Sequence, residues 1–167
     1  MKVRITSPKK IDGRVKLLAE TLGLEIDKAQ SLKQRRETRF EPELDNCHIN
    51  NLVKTRFDGG RLCYGWVVGQ DKTNDIVEAH FYSVWQGEGD TLVDITPRPT
   101  NDRRLLFVPD PVRKISFASY AGRPAISTYD VVRMQKGEIV ANVREKLFIP
   151  YSELIYQFGF ATKKASA

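Results

Sequence analysis

Disulfide chemistry has little to work with in this chain. Cys47 and Cys63 are its only cysteines, so a small secreted scaffold stapled by several bridges is excluded. Histidine is equally scarce, with His48 and His80 alone, and two cysteines plus two histidines do not make a structural zinc pattern. No apolar run approaches the roughly 18–20 residues of a membrane-spanning helix. The opening Met1-Lys-Val-Arg-Ile-Thr-Ser-Pro8 carries charge but lacks the apolar stretch of a secretory signal. Glycine (11) and proline (8) are near average, which removes collagen-like and low-complexity readings. What remains is 167 residues, 41% hydrophobic and 29% charged, enough for one domain with its own core. A soluble, cytoplasmic protein with no membrane partner is expected.

The net charge of +6 is unevenly placed. The first 40 residues hold eleven Lys/Arg against five Asp/Glu, and the remainder holds sixteen of each. A basic head on a neutral body suits an anionic partner, either nucleic acid or an acidic protein face. It is equally what a solvated helix face looks like.

The apolar spacing predicts a helix over 14–22, inward at Val15, Leu18, Ala19 and Leu22, with Gly23 as its stop. Asp27 can cap a second helix from Lys28 to about Thr38, with Ala29 and Leu32 inward. Asp45 or Asn46 can cap a third from Cys47 to Phe57, striped by Ile49, Leu52, Val53 and Phe57 and ended by Gly59-Gly60. Strands follow at 61–68, 76–85 and 91–95, the last two joined by a five-residue turn. Further strands are expected at 105–108, 115–118, 126–134 and 138–143, and a short helix over Ser152–Phe158. Helices first and antiparallel strands afterwards make a single α+β domain. Within it lie a basic helical segment (1–40), a core (44–97), and additional strands with a C-terminal helix (98–160).

Cys47 falls in the first turn of its helix. Unpaired backbone N–H groups there, with the positive end of the helix dipole, favour a thiolate and could hold an oxyanion. A nucleophilic thiol also needs a base. His48 is adjacent on the helix, roughly 100° round from Cys47 and poorly placed to reach its sulfur. His80 lies on a distant strand that folding could bring opposite. Asp94 is on the returning strand of the hairpin, where a carboxylate could orient the imidazole.

The order of these residues carries a resemblance. A helix-borne Cys47-His48-x-Asn50, then Gly59-Gly60, Tyr64-Gly-Trp66, a histidine on a strand ending Val84-Trp85, and Val93-Asp94-Ile-Thr-Pro97 resembles the core of transglutaminase-like and papain-like thiol enzymes. It also resembles small bacterial proteins of unassigned activity that carry the same motifs. The resemblance implies Cys47 as nucleophile, His80 as general base and Asp94 as orienter. Asn46, Trp66, Tyr82 and Trp85 would line the substrate groove, although the two tryptophans are also plain core aromatics. In those small proteins the histidine stands three residues before the tryptophan, a position that is Tyr82 here. His80 is two residues earlier, on the same face but displaced by about 6.5–7 Å. A phenol with an ordinary pKa near 10 is a poor base at neutral pH.

Three functions follow. The first is a cysteine-dependent acyl-transfer enzyme (hydrolase, deamidase or transamidase) acting on an amide of a protein or peptide, with no metal or organic cofactor implied. The second keeps the fold as a catalytically inactive module that binds or blocks a protein partner. The third is a nucleic-acid binder. Residues 15–34 fit a helix-turn-helix, with Lys28, Ser31, Gln34 and Arg35 exposed on its second helix toward DNA.

Overall fold

The computed structural model describes residues 1–100, 102–148 and Leu154. Helix α1 (Gly13–Thr21) begins at Asp12, whose carboxylate accepts the N–H groups of Arg14 and Val15, two donors that the first turn would otherwise leave unpaired. Val15, Leu18 and Ala19 turn inward as their spacing requires. The helix expected over 28–38 is not formed. A 3-10 turn (Ile26–Lys28) runs into strand β1 (Gln30–Lys33), which pairs antiparallel with β5 (Arg104–Pro109) and places Leu32 opposite Leu105. Two inward residues three apart fit a helix face, but a distant strand edge satisfies this backbone instead, a choice local spacing does not encode.

Helix α2 (Cys47–Asp58) forms with the expected N-terminus. Gly59 and Gly60 both take positive φ and turn the chain into β2 (Arg61–Asp71). β2 pairs along its whole length with β3 (Ile76–Gln86), from Arg61↔Gln86 to Asp71↔Ile76. The far edge of β3 is shared. Residues 76–79 take β8 (Val132–Gln135), and residues 85–86 take β4 (Leu92–Val93). With β9 (Glu138–Ala141) beyond β8, the main sheet runs β1-β5-β2-β3-β8-β9, with β4 also on β3. A second sheet is ordered β10-β7-β6, from β6 (Ser116–Tyr120), β7 (Arg123–Tyr129) and β10 (Glu145–Phe148). The single strand expected over 126–134 is thus divided at Asp130-Val131, its halves entering different sheets. The architecture is α+β, with mostly antiparallel strands. The expected helix over Ser152–Phe158 lies outside the described residues apart from Leu154, which is helical and buried. Among the described residues no helix is long and apolar enough to cross a membrane.

The sheet separates two apolar clusters. One face carries Trp66, Val68, Ala79 and Phe81 against α1 and α2, through Val15, Leu18, Ile49 and Val53. The other carries Val84, Tyr82, Leu32, Leu105 and Phe107, and Cys47 joins it from the start of α2. A parallel bridge between Gln34 and Asp94 curls the β1 end of the sheet onto the chain after β4, closing it around this second cluster.

The Tyr-Gly-Trp motif has a steric reason. A Cβ on Gly65 would stand 2.4 Å from the Val108 carbonyl and 2.5 Å from the Phe107 ring, so β5 approaches β2 only because position 65 is bare. Gly65→Ala is therefore expected to lower stability by about 1–3 kcal/mol, read as a shifted midpoint in urea denaturation with an unchanged slope.

Candidate functional site

Two asparagines, three and four residues after Cys47 on α2, set the site. Both are fully buried. Asn50 holds Glu43 by its backbone in both directions, with its carbonyl accepting the Glu43 N–H at 2.8 Å and its amide donating to the Glu43 carbonyl at 2.8 Å, and it reaches Thr96 Oγ1 at 3.2 Å. Asn51 donates to the Cys47 carbonyl at 2.8 Å and to the Ser83 carbonyl in the middle of β3 at 3.0 Å. The first turn of α2 is thereby tied at once to the preceding loop, to the Val-Asp-Ile-Thr-Pro segment and to β3.

Cys47 is 5% exposed. Burial pushes its thiol up to about 12, although the Ser83 N–H, the Ser83 hydroxyl and the His48 N–H all favour the thiolate. The helix-terminal donors anticipated from sequence are present, and enclosure outweighs them. His48 bonds Ser83 Oγ through Nδ1 at 2.9 Å and lies near the Tyr64 and Phe81 rings; burial holds it down at about 4, so it is neutral.

Asp94 and His80 do not meet. The β3–β4 register pairs Trp85 with Val93, and one step further sets Asp94 opposite Val84 and diagonal to Tyr82. Tyr82 Oη donates to Asp94 Oδ1 at 2.8 Å, the Thr96 N–H donates to the same oxygen at 3.2 Å, and Arg98 Nη1 donates to Oδ2 at 2.5 Å. Burial, then the Asp94 carboxylate, raise the Tyr82 phenol well above its ordinary value, so it stays protonated. His80 lies four residues from Val84, roughly 13 Å along the strand. Its ring, half exposed, bonds Glu78 through Nε2 at 3.1 Å, while Arg133 grips the other oxygen of that carboxylate. The His80 bond, against the opposing effect of burial and with help from Arg133, holds the Glu78 carboxyl below its usual range.

A cleft of about 600 Å³ nonetheless collects many of these groups, Cys47, His48, His80, Tyr82 and Arg98 among its lining. Asn46 also faces it, its amide bound to Glu43 rather than capping α2. The tryptophans stand elsewhere. Trp66 is fully buried, with Nε1 on Asp110 at 2.9 Å, and Trp85 donates to the Gly59 carbonyl beneath the Lys54 ammonium. Lys28 pairs with Glu25, Ser31 sits on β1, and Gln34 and Arg35 follow it against the Asp94 backbone, so the recognition helix of a helix-turn-helix is absent. Sequence reasoning passed over Ser83, Asn51, Arg98 and Glu78. Only Asn51 left a signal, as one of two amides on the inward face of a helix beside the cysteine. Compared with family models, with curated proteins and with solved structures, the chain matches none.

A pH dependence follows from His48. Its folded pKa, about 4, lies below the unfolded value near 6.5, so the unfolded chain binds the extra proton between them. The associated stability is complete above pH 6.5 and is lost as pH falls toward 4, by about 3 kcal/mol. His48→Phe should remove this increment, read as the difference between wild-type and variant denaturation midpoints at pH 7 and pH 4.5. Equal pH slopes for the two proteins would show His48 to be solvated.

Proposed function

We propose that this chain is a transglutaminase-like thiol module whose chemistry is silenced and whose cleft binds a segment of polypeptide. The observation that carries the reading is the Tyr82–Asp94 hydrogen bond at 2.8 Å. Acyl transfer by a thiol needs a base at the sulfur and a carboxylate to orient that base. Here the carboxylate is consumed by a phenol and by Arg98. Burial pushes the Cys47 thiol up to about 12, so it stays protonated at pH 7. Tyr82 accepts no proton at that pH, and His48, held down at about 4 by burial and bonded to Ser83 Oγ, is a weak base. The one hydrogen-bonded path from the thiol, through Ser83 Oγ to His48 among the described residues, ends on an imidazole whose pKa burial lowers to about 4.

The cleft that remains is suited to an extended chain. Its wall combines Phe81, Tyr82 and Tyr129 with Arg98, Glu78 and His80, an apolar surface with a few charged groups that can meet peptide amides and side chains.

Two measurements test the reading. Iodoacetamide at pH 7.5 should alkylate Cys63, which is half-buried, before Cys47, and Tyr82→His, which sets an imidazole between Cys47 and Asp94, should speed Cys47 alkylation at least tenfold. An acyl-enzyme burst from an activated ester, present in wild type and lost in Cys47→Ala, would reinstate the enzyme. Selection from a random peptide library should then enrich sequences whose affinity falls at least tenfold in His80→Trp, which fills the cleft away from the Tyr82–Asp94 bond. Enrichment indifferent to that substitution would place binding elsewhere.

A further inference from the structure

The N-terminal arm is a fixed object rather than a tail. Arg4 N–H bonds the Asp71 carboxylate at 2.9 Å, Thr6 exchanges two backbone hydrogen bonds with Gln70 at 2.8 and 3.0 Å, and Ser7 N–H bonds Asp102 at 3.3 Å. This pinning brings Lys9 and Lys10 into a groove of about 730 Å³ that Arg103, Arg104 and Ser31 also line. Lys33 does not line the groove but stands next to it, since the β1–β5 register places it directly opposite Arg104, and adds a fifth cation at its edge. Like charges held opposite one another across two strands destabilise a sheet unless something negative lies over them.

Exposed cations without an ion pair among the described residues also stand elsewhere, as at Lys16, Arg36, Lys114 and Arg144, so what sets this groove apart is that four such cations line one cavity. Other cations are paired. Arg14 pairs with Asp75, Arg39 with Asp58, Lys54 with Glu37 and Asp58, Arg113 with Asp110, and Lys146 with Asp130. Lys9, Lys10, Lys33, Arg103 and Arg104 are all exposed, and none has a carboxylate partner among the described residues. Among the described residues the one carboxylate lining the groove, Asp102, accepts the Ser7 N–H.

We infer that this groove binds the phosphodiester backbone of nucleic acid without regard to sequence. Five cations on ordered backbone, with no ion pairs to break, match a ligand of closely spaced phosphates. Among the described residues no aromatic side chain and no Asn or Gln lines the groove, so these supply neither a stacking platform nor the amides that read base edges. The same lack of aromatic anchors disfavours an acidic protein, whose stable docking needs a desolvated centre. The reading replaces a recognition helix with a groove built from an arm and a strand edge, and it does not depend on the chemistry of the Cys47 cleft.

Fluorescence anisotropy of the full chain with a duplex of about 24 base pairs, over roughly 50–200 mM salt, tests it. Five phosphate contacts predict log Kobs falling against log[salt] with a slope of about −4 to −5. Replacing Lys9, Lys10 and Arg103 together by Ala should reduce that slope by about 3 and weaken binding at least tenfold at the lowest salt, with an unchanged melting temperature. Lys33→Ala alone should reduce the slope by about 1, while Lys114→Ala, an exposed cation outside the groove's lining, should bind as wild type does. Undetectable binding at about 50 mM salt, or an unchanged slope in the triple variant, would overturn the proposal. Displacement of the duplex by polyglutamate at equal charge would overturn it in favour of an acidic protein.

Discussion

The first turn of α2 can sit against the sheet only because two buried amides leave almost nothing unpaired there. A carbonyl or N–H removed from water without a partner costs of order 1–3 kcal/mol, so the segments meeting at this point had to supply matching groups. Asn50 supplies them to Glu43 and Thr96, and Asn51 to Cys47 and Ser83. One oxygen, Asn51 Oδ1, is left over, buried and without a partner. That tie holds the first turn of α2 against β3, and Tyr82, Val84 and Leu105 share the cluster that encloses Cys47.

The same enclosure decides the electrostatics. A thiol at a helix N-terminus in contact with water would be a reactive one, yet here low polarity dominates and the proton stays on sulfur. Asp94, with no solvent exposure, would be costly as a lone buried charge, and Arg98, Tyr82 and the Thr96 N–H hold it instead. That arrangement holds because each group answers another. At the arm and the β1–β5 edge exposed cations gather without ion pairs among the described residues, Arg104 donating to the Ser31 carbonyl.

Much of the α2 region was legible before any coordinates. The stripe Ile49, Val53, the glycine pair and the alternation through β2 are local signals with local causes, and they placed the helix and the ribbon after it. The stretch from Lys28 was not, because Ala29 and Leu32 are only two apolar residues and a strand uses Leu32 equally well once β5 offers an edge. The run from Ile126 to Met134 looked continuous because β-branched and apolar residues fill it, while the division at Asp130 depends on which sheet each half joins. Within the site, Cys47, Tyr82 and Asp94 were each visible as residues, and their grouping was not.

Sequence by itself determined which side chains exist to be gathered: one helix-borne cysteine, a tyrosine three residues before a tryptophan, an aspartate in a strand–turn segment and a basic first quarter. Periodicity added the α+β character, because it is written in neighbours a few residues apart. Tertiary structure alone decided that Asp94 meets Tyr82 and that His80 turns to Glu78, since a strand register joins residues remote in the chain and a shift of two positions moves a ring by about 7 Å. It alone decided, too, that Lys9, Lys10, Arg103 and Arg104 line one groove, because only the pairing of the arm with β2 and of β1 with β5 brings Lys9 toward Arg103.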